Sequence, residues 1–123
     1  ILYNSEGQVL LFLRDDKPEI LCPGMWDLPG GHVEHNETPM ECIVREMIEE
    51  IETDVTACIP YRVYDFPDRI EHVFIMPLDR PAGEIPLHEG QCLRWFHHEE
   101  IEGLDLAFGF DTVLRDHFDG RSG

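Results

Sequence analysis

The sequence predicts an α/β fold in which helices pack on a mixed β-sheet. Three observations carry this reading. Apolar residues between positions 40 and 51 recur with helical spacing, β-rich runs lie on either side of them, and a second amphipathic pattern closes the chain. In order, Asn4-Ser5-Glu6-Gly7 is turn-like, and Val9–Leu13 reads as a strand broken by Asp15-Asp16-Lys17-Pro18. Residues 26–28 form a short strand that enters the turn Pro29-Gly30-Gly31. Thr38-Pro39-Met40-Glu41 then starts a helix: Thr38 caps it, Pro39 takes the first helical position and Glu41 completes a capping box. Met40, Ile43, Val44, Met47, Ile48 and Ile51 form its apolar stripe, with Cys42 on the opposite side. Arg45 follows Glu41 in a favourable i, i+4 pairing orientation. Residues 55–66 and 70–78 are β-rich and separated by Pro67-Asp68, which predicts a hairpin. Residues 81–90 read as a Pro- and Gly-containing loop, and residues 93–96 return as a strand. His97-His98 reads as the approach to a helix or turn rather than a ligand pair. A final helix is predicted over about residues 107–118, burying Phe110, Val113, Leu114 and Phe118.

The chain of 123 residues suits one domain over residues 1–123, and its 42% apolar fraction is adequate for one core. No run reaches the ~18 apolar residues of a membrane span. No charged-then-apolar targeting segment opens the chain, but Ile1 begins in a strand-like run, so this absence carries little weight. Cys22, Cys42, Cys58 and Cys92 are scattered, so neither zinc nor a disulfide framework is indicated. Reduced thiols and a cytoplasmic location are expected. A net charge of -17 argues against nucleic-acid polymers and anionic membranes as partners, since both need a basic patch.

The most informative stretch is Gly31, then Glu37, then Arg45-Glu46-Met47-Ile48-Glu49-Glu50. Glu46, Glu49 and Glu50 stand at i, i+3 and i+4, so a helix places them on one side, away from the apolar stripe. Like charges so spaced destabilise a helix by roughly 0.2–0.5 kcal/mol per pair. A cation held between them turns that cost into a binding site. Hard divalent ions take carboxylate oxygens, and Mg²⁺ adds substrate phosphates to a few carboxylates. The preceding glycines let backbone approach a ligand and expose carbonyls. Together these features favour a metal-dependent enzyme with a phosphate-rich substrate over a solvated acidic helix face. Glu50, nearest the stripe, is expected to be the least solvated of the three.

This arrangement resembles the Nudix hydrolase signature, Gly-x5-Glu-x7-Arg-Glu-U-x-Glu-Glu-x-Gly-U, where U is bulky and aliphatic. Gly31, Glu37, Arg45, Glu46, Glu49 and Glu50 match it, with Met47 as U. Residues 7–14, 26–31 and 89–96 are similar to further segments of the family. The match fails at the end, where Ile51-Glu52-Thr53 replaces x-Gly-U. Glycine is favoured there because it adopts the left-handed conformation that closes a helix. The helix is therefore expected to end differently or to run slightly further.

The resemblance implies a Nudix-type α/β/α sandwich with a mixed sheet. It also implies hydrolysis of a pyrophosphate bond in a nucleoside diphosphate linked to another moiety. The implied catalytic set is Glu46, Glu49, Glu50, Arg45 and Glu37, with Glu37 and Arg45 pairing to orient the carboxylates. Glu46, Glu49 and Glu50 would hold Mg²⁺, with Mn²⁺ as a substitute, helped by the Gly30 carbonyl. Glu89 is the candidate for an extra metal ligand and Glu84 the next; Arg14 is a candidate phosphate contact. Tyr61, Tyr64, Phe66 and residues 81–88 are candidates for meeting the nucleotide, although aromatics in β-runs are more often core. Pro67 lies one residue out of register with a proline of ADP-ribose-cleaving relatives and carries little weight. Dimers are common among relatives, so a homodimer is a further implication. The alternative is a Nudix-like nucleotide-binding or regulatory module without turnover, supported only by Glu52 and Thr53. A Ca²⁺-binding protein lacks support, because the loop ligands of an EF-hand are missing.

An anionic substrate must approach a chain of its own sign. Moderate salt should therefore raise kcat/KM at saturating Mg²⁺ by screening. A steady fall with salt would instead show that local basic residues dominate the approach.

Overall fold

The computed structural model describes residues 1–122. Its strands are β1 (Leu2–Tyr3), β2 (Val9–Leu13), β3 (Trp26–Asp27), β4 (Ile59–Phe66), β5 (Arg69–Pro77) and β6 (Cys92–Phe96). Its helices are α1 (Pro39–Ile51), α2 (His98–Ile101) and α3 (Phe110–Ser122), with 3-10 turns at Ala82–Glu84 and Ala107–Gly109. The strands run in the order β3-β2-β1-β5-β4, and β6 also pairs with β2. β1 and β5 are parallel, whereas β1–β2, β2–β3, β2–β6 and β4–β5 are antiparallel, so the sheet is mixed.

β2 is the axis of this sheet. β6 pairs along its whole length, from Val9–Phe96 to Leu13–Cys92. Its other edge is shared by β1 at Val9 and β3 at Phe12 and Leu13. Side chains alternate across a strand. Val9 and Leu11 thus join Val113, Leu114 and Phe118 of α3, while Leu10 and Phe12 join Met47 and Ile51 of α1. Burial on both faces explains why the strand is an unbroken apolar run. The result is an α/β/α sandwich with α1 and α3 on opposite faces.

α1 starts at the expected cap. Thr38 Oγ1 accepts from the Glu41 N–H at 3.1 Å, and Glu41 Oε1 accepts from the Thr38 N–H at 2.9 Å. The cap occupies Glu41, so the expected pair with Arg45 does not form. The stripe also differs from expectation. Cys42 is buried beneath the glycine turn, its Sγ 3.7 Å from the Gly31 carbonyl, whereas Ile48 is 49% exposed. The turn folds over the helix flank that carries Cys42 and leaves Ile48 uncovered. α1 ends at Ile51, and Glu52 takes left-handed geometry (φ 48°, ψ 41°) with its N–H directed to the Ile48 and Met47 carbonyls. The helix thus stops where glycine would have stopped it, at a cost of roughly 1–2 kcal/mol for a residue with a Cβ.

Other boundaries move for local reasons. The run from Val55 becomes a strand only at Ile59, because Asp54 Oδ1 accepts from the Thr56 N–H and the Cys58 N–H returns to the Val55 carbonyl. Phe66 and Arg69 pair across Pro67-Asp68, closing the expected hairpin. The single final helix is split, since Phe108 (φ 55°) and Gly109 (φ 76°) leave helical geometry ahead of α3. His97 caps the one-turn helix α2. Tyr61, Tyr64 and Phe66 pack on the α3 side of the sheet, opposite α1. The Tyr64 hydroxyl donates to Asp116 at 2.8 Å; burial, with that carboxylate beside it, pushes its pKa up to about 12. Among the described residues no helix is long and apolar enough to cross a membrane.

Candidate active site

The glycine turn that follows β3 brings the chain back across α1. Gly31 lies tight against Glu46: a Cβ there would stand 2.2 Å from Glu46 Cδ. At Gly30 a Cβ would meet only Ile43 Cδ1 at 3.8 Å, so any role of Gly30 rests on its carbonyl rather than on space. Arg45 spans the gap between turn and helix. Its Nε and Nη2 donate to Glu37 Oε2 and Oε1 at 2.7 and 3.0 Å, a two-pronged pair. Its Nη1 donates to Glu46 Oε1 at 2.7 Å and to Glu49 Oε2 at 3.2 Å, and its Nη2 reaches the His32 carbonyl at 3.4 Å. Hydrogen bonds from Arg45, joined by one from the Glu34 N–H, hold the Glu37 carboxyl down at about 2. The same carboxylates raise the Arg45 pKa above its ordinary value.

Glu50 has a different environment. It is 8% exposed, and burial raises its pKa far above the carboxylate range. The neighbouring Glu89 and Glu46 carboxyls add to that shift. Glu89 arrives from a loop fastened at both ends. The His88 N–H donates to the Glu50 carbonyl at 2.8 Å, and His88 Nε2 meets Glu52 Oε2 at 2.5 Å. Beyond Glu89, the Gln91 N–H donates to the Leu13 carbonyl at 2.7 Å and Gln91 Nε2 to the Arg14 carbonyl at 2.8 Å. Gly90 (φ 82°) fits between them, since a Cβ would lie 2.6 Å from the Leu13 oxygen and 2.7 Å from Phe12 Cδ2.

Glu46, Glu50 and Glu89 are therefore neighbours, with Glu50 buried and Glu89 exposed; Glu49 is also open, its side chain 57% exposed. Among the described residues no three His, Cys, Asp or Glu side chains form a ready-made cage for an ion. Arg45 bonds Glu46 and Glu49, two of the expected ligands. It would retain Glu37 and the His32 carbonyl as partners if those two bonds were given up. The donor set itself suits a hard divalent cation: it is oxygen-only, and a cation would relieve the like-charge crowding at Glu50. Glu84 lies exposed in its 3-10 turn and is not among the groups acting on Glu50.

Arg14 is engaged locally. Its Nη1 is 3.0 Å from Asp27 Oδ2, its Nε donates to the Leu21 carbonyl at 3.0 Å, and its guanidinium lies 4.9 Å from the Phe108 ring centre. Its partner Asp27 escaped the sequence reading. Asp27 is 5% exposed, and burial pushes its pKa up to about 6 despite the hydrogen bond from Arg14. An acid between Trp26 and Leu28 in an apolar strand was the available signal. The Glu52–His88 contact was also missed, because 36 positions separate the partners and no local pattern joins them.

A NUDIX domain model matches residues 1–116. The chain belongs to this family. An 8-oxo-dGTP diphosphatase of Proteus vulgaris is 38% identical over 71 residues, covering 56% of this chain and 63% of that protein. An RNA pyrophosphohydrolase of Gluconacetobacter diazotrophicus is 31% identical over 103 residues, covering 78% of this chain and 56% of that protein. The NUDIX chain thus spans less than two thirds of the length of either relative. A solved MutT structure from work on Aliivibrio salmonicida and Vibrio cholerae superposes with a TM-score of 0.72 at 26% identity. That match covers 94% of this chain and 90% of the other.

Two outcomes follow from this geometry. In Gly31→Ala the flexible Glu46 carboxylate should swing aside. The fold should survive with little change in Tm, while Mg²⁺-dependent activity falls roughly 10–100-fold; an unchanged Mg²⁺ titration would show that Glu46 need not occupy this position. For Asp27, the folded pKa of about 6 lies above the ordinary value of 3.8. The folded state therefore binds the extra proton between these limits, and stability falls as pH rises through that window. The Tm difference between Asp27→Asn and wild type should consequently move in favour of the variant from pH 4 to pH 7.

Proposed function

We propose that this NUDIX chain is a Mg²⁺-dependent hydrolase that cleaves a pyrophosphate bond in a nucleoside diphosphate linked to another moiety. The observation that carries this reading is the convergence of Glu46, Glu50 and Glu89 beside a glycine turn braced by Arg45 and Glu37. Glu46, Glu49, Glu50, Glu89 and the Gly30 carbonyl would hold the ion, with Mn²⁺ able to replace Mg²⁺. When bound, the ion supplies charge that polarises phosphoryl oxygens, eases deprotonation of the attacking water and stabilises the leaving phosphate. The chain's own residues then do three things. Arg45 and Glu37 orient the acidic helix relative to the glycine turn. Loop residue Glu89 completes the carboxylate ring. A carboxylate such as Glu46 accepts the proton of the attacking water.

A small nucleotide is favoured over a polymer as substrate. The 8-oxo-dGTP diphosphatase supports a nucleoside triphosphate, in which the linked moiety is phosphate. The net charge of -17 opposes the backbone of a nucleic acid. A cytoplasmic location is favoured by the scattered spacing of the four cysteines, which suggests no disulfide framework. A homodimer is supported by the edge strand β4, where Ile59 and Val63 stay exposed, and by the exposed Ile70 of its partner strand β5. The left-handed Glu52 ends α1 at Ile51, downstream of Glu46, Glu49 and Glu50, which supports turnover over a module without it.

Phosphate-product release tests this reading on a panel of nucleoside triphosphates, sugar nucleotides, dinucleoside polyphosphates and a 5′-triphosphorylated RNA oligonucleotide, with and without Mg²⁺. Glu50→Gln and Glu49→Gln should each lower turnover, Glu50→Gln by at least ~100-fold, beyond the usual cost of losing an orienting partner. Near-normal activity in both variants would sink the metal assignment, and binding without turnover across the panel would favour the regulatory module.

A further inference from the structure

The carboxylate Glu89 has to be carried to α1 by a loop, and that loop is fastened at the one motif position, Glu52, where this chain lacks the expected glycine. This inference rests on the proposed metal site. Glycine at position 52 would close α1 through the same left-handed backbone without the crowding of a Cβ. Glu52 accepts that crowding, and its side chain reaches His88 Nε2 at 2.5 Å. The His88 N–H donates to the Glu50 carbonyl at 2.8 Å. One backbone contact and one side-chain contact therefore clamp His88 onto the C-terminal end of α1. On the far side, Gly90 is wedged against Leu13 and Phe12, and Gln91 is hydrogen-bonded to the end of β2. Glu89 is the residue between these two fixed points.

We propose that Glu52 and His88 are positioning residues, a latch that holds Glu89 beside Glu50 and Glu46 and so completes the cation site. Both side chains are 55% exposed, so the pair lies outside the core. A surface pair of this kind contributes little stability by itself, and glycine would end the helix with less backbone strain. What Glu52 adds is a fixed place for His88, and through it for Glu89.

The test measures Mn²⁺ binding to the whole chain without substrate, by electron paramagnetic resonance, together with Tm. Glu52→Gly should raise Tm by relieving the left-handed backbone, yet weaken Mn²⁺ binding about tenfold. His88→Ala should weaken it comparably, and the double variant should lose no more than the worse single. Glu52→Gln, which can still hydrogen-bond the imidazole, should restore most of the affinity. In a Glu89→Gln background, Glu52→Gly should have no further effect on binding. A merely structural role would move Tm and affinity in the same direction. Wild type that binds Mn²⁺ alongside Glu52→Gly and His88→Ala variants of equal affinity would overturn the latch and leave the metal site standing. Wild type that binds no Mn²⁺ would overturn the metal site and the latch with it.

Discussion

Four carboxylates, Glu34, Glu37, Glu46 and Glu49, meet a single guanidinium at Arg45, and the candidate site depends on how that one charge is divided. Two donors of the planar fork take Glu37 in the turn, while the third nitrogen serves Glu46 and Glu49 on the helix. A lysine could offer charge but no fixed fork to share among acids approaching from different directions. Because turn and helix are joined through this residue, the Gly31 backbone can lie directly against Glu46. Glu50 receives no such help. It faces the other acids from a buried position, which is why its proton is held so strongly.

The sandwich supplies the other half of the site. β2 contributes side chains to both cores and backbone carbonyls at its end to Gln91. α1 packs on one face of the same strand through Met47 and Ile51, so the helix and the loop carrying Glu89 share a reference frame. Their positions relative to each other are set by packing around Phe12 rather than by the loop's own preferences. Glu89 can therefore reach α1 although about forty residues separate it from Glu50 in the chain.

Much of this was legible because the signals are local. Thr38, Pro39 and Glu41 announce the start of α1 within one turn, and the apolar run of β2 announces a strand covered on both faces. The acidic motif resembles a known family because its spacing follows helix geometry. The misread parts depend on distant neighbours. Whether Cys42 or Ile48 is buried is decided by the path of the glycine turn, not by the helical period. A phenylalanine at φ 55° carries no mark in sequence, so the break at Phe108 was hidden inside a good amphipathic pattern. Asp27 gives no sign in a short strand of its burial or of its neighbours Arg14 and Glu71. Glu52 was read as a defect in the motif, because its partner His88 belongs to a loop whose course the sequence does not specify.

The way the chain passes through the segment after β5 has an evolutionary corollary. It is held at its start, where Trp95 Nε1 donates to the Arg80 carbonyl at 2.8 Å, in its middle by the buried Ile85, and at its end by His88, Gly90 and Gln91. Between these anchors, positions such as Gly83, Glu84 and Pro86 answer to few structural demands. Substitutions or short insertions there can reshape the surface ahead of the loop without displacing the carboxylate that follows. Such a division lets the acidic cluster be inherited unchanged while the surface beside it drifts, so change in one needs no intermediate that has lost the other.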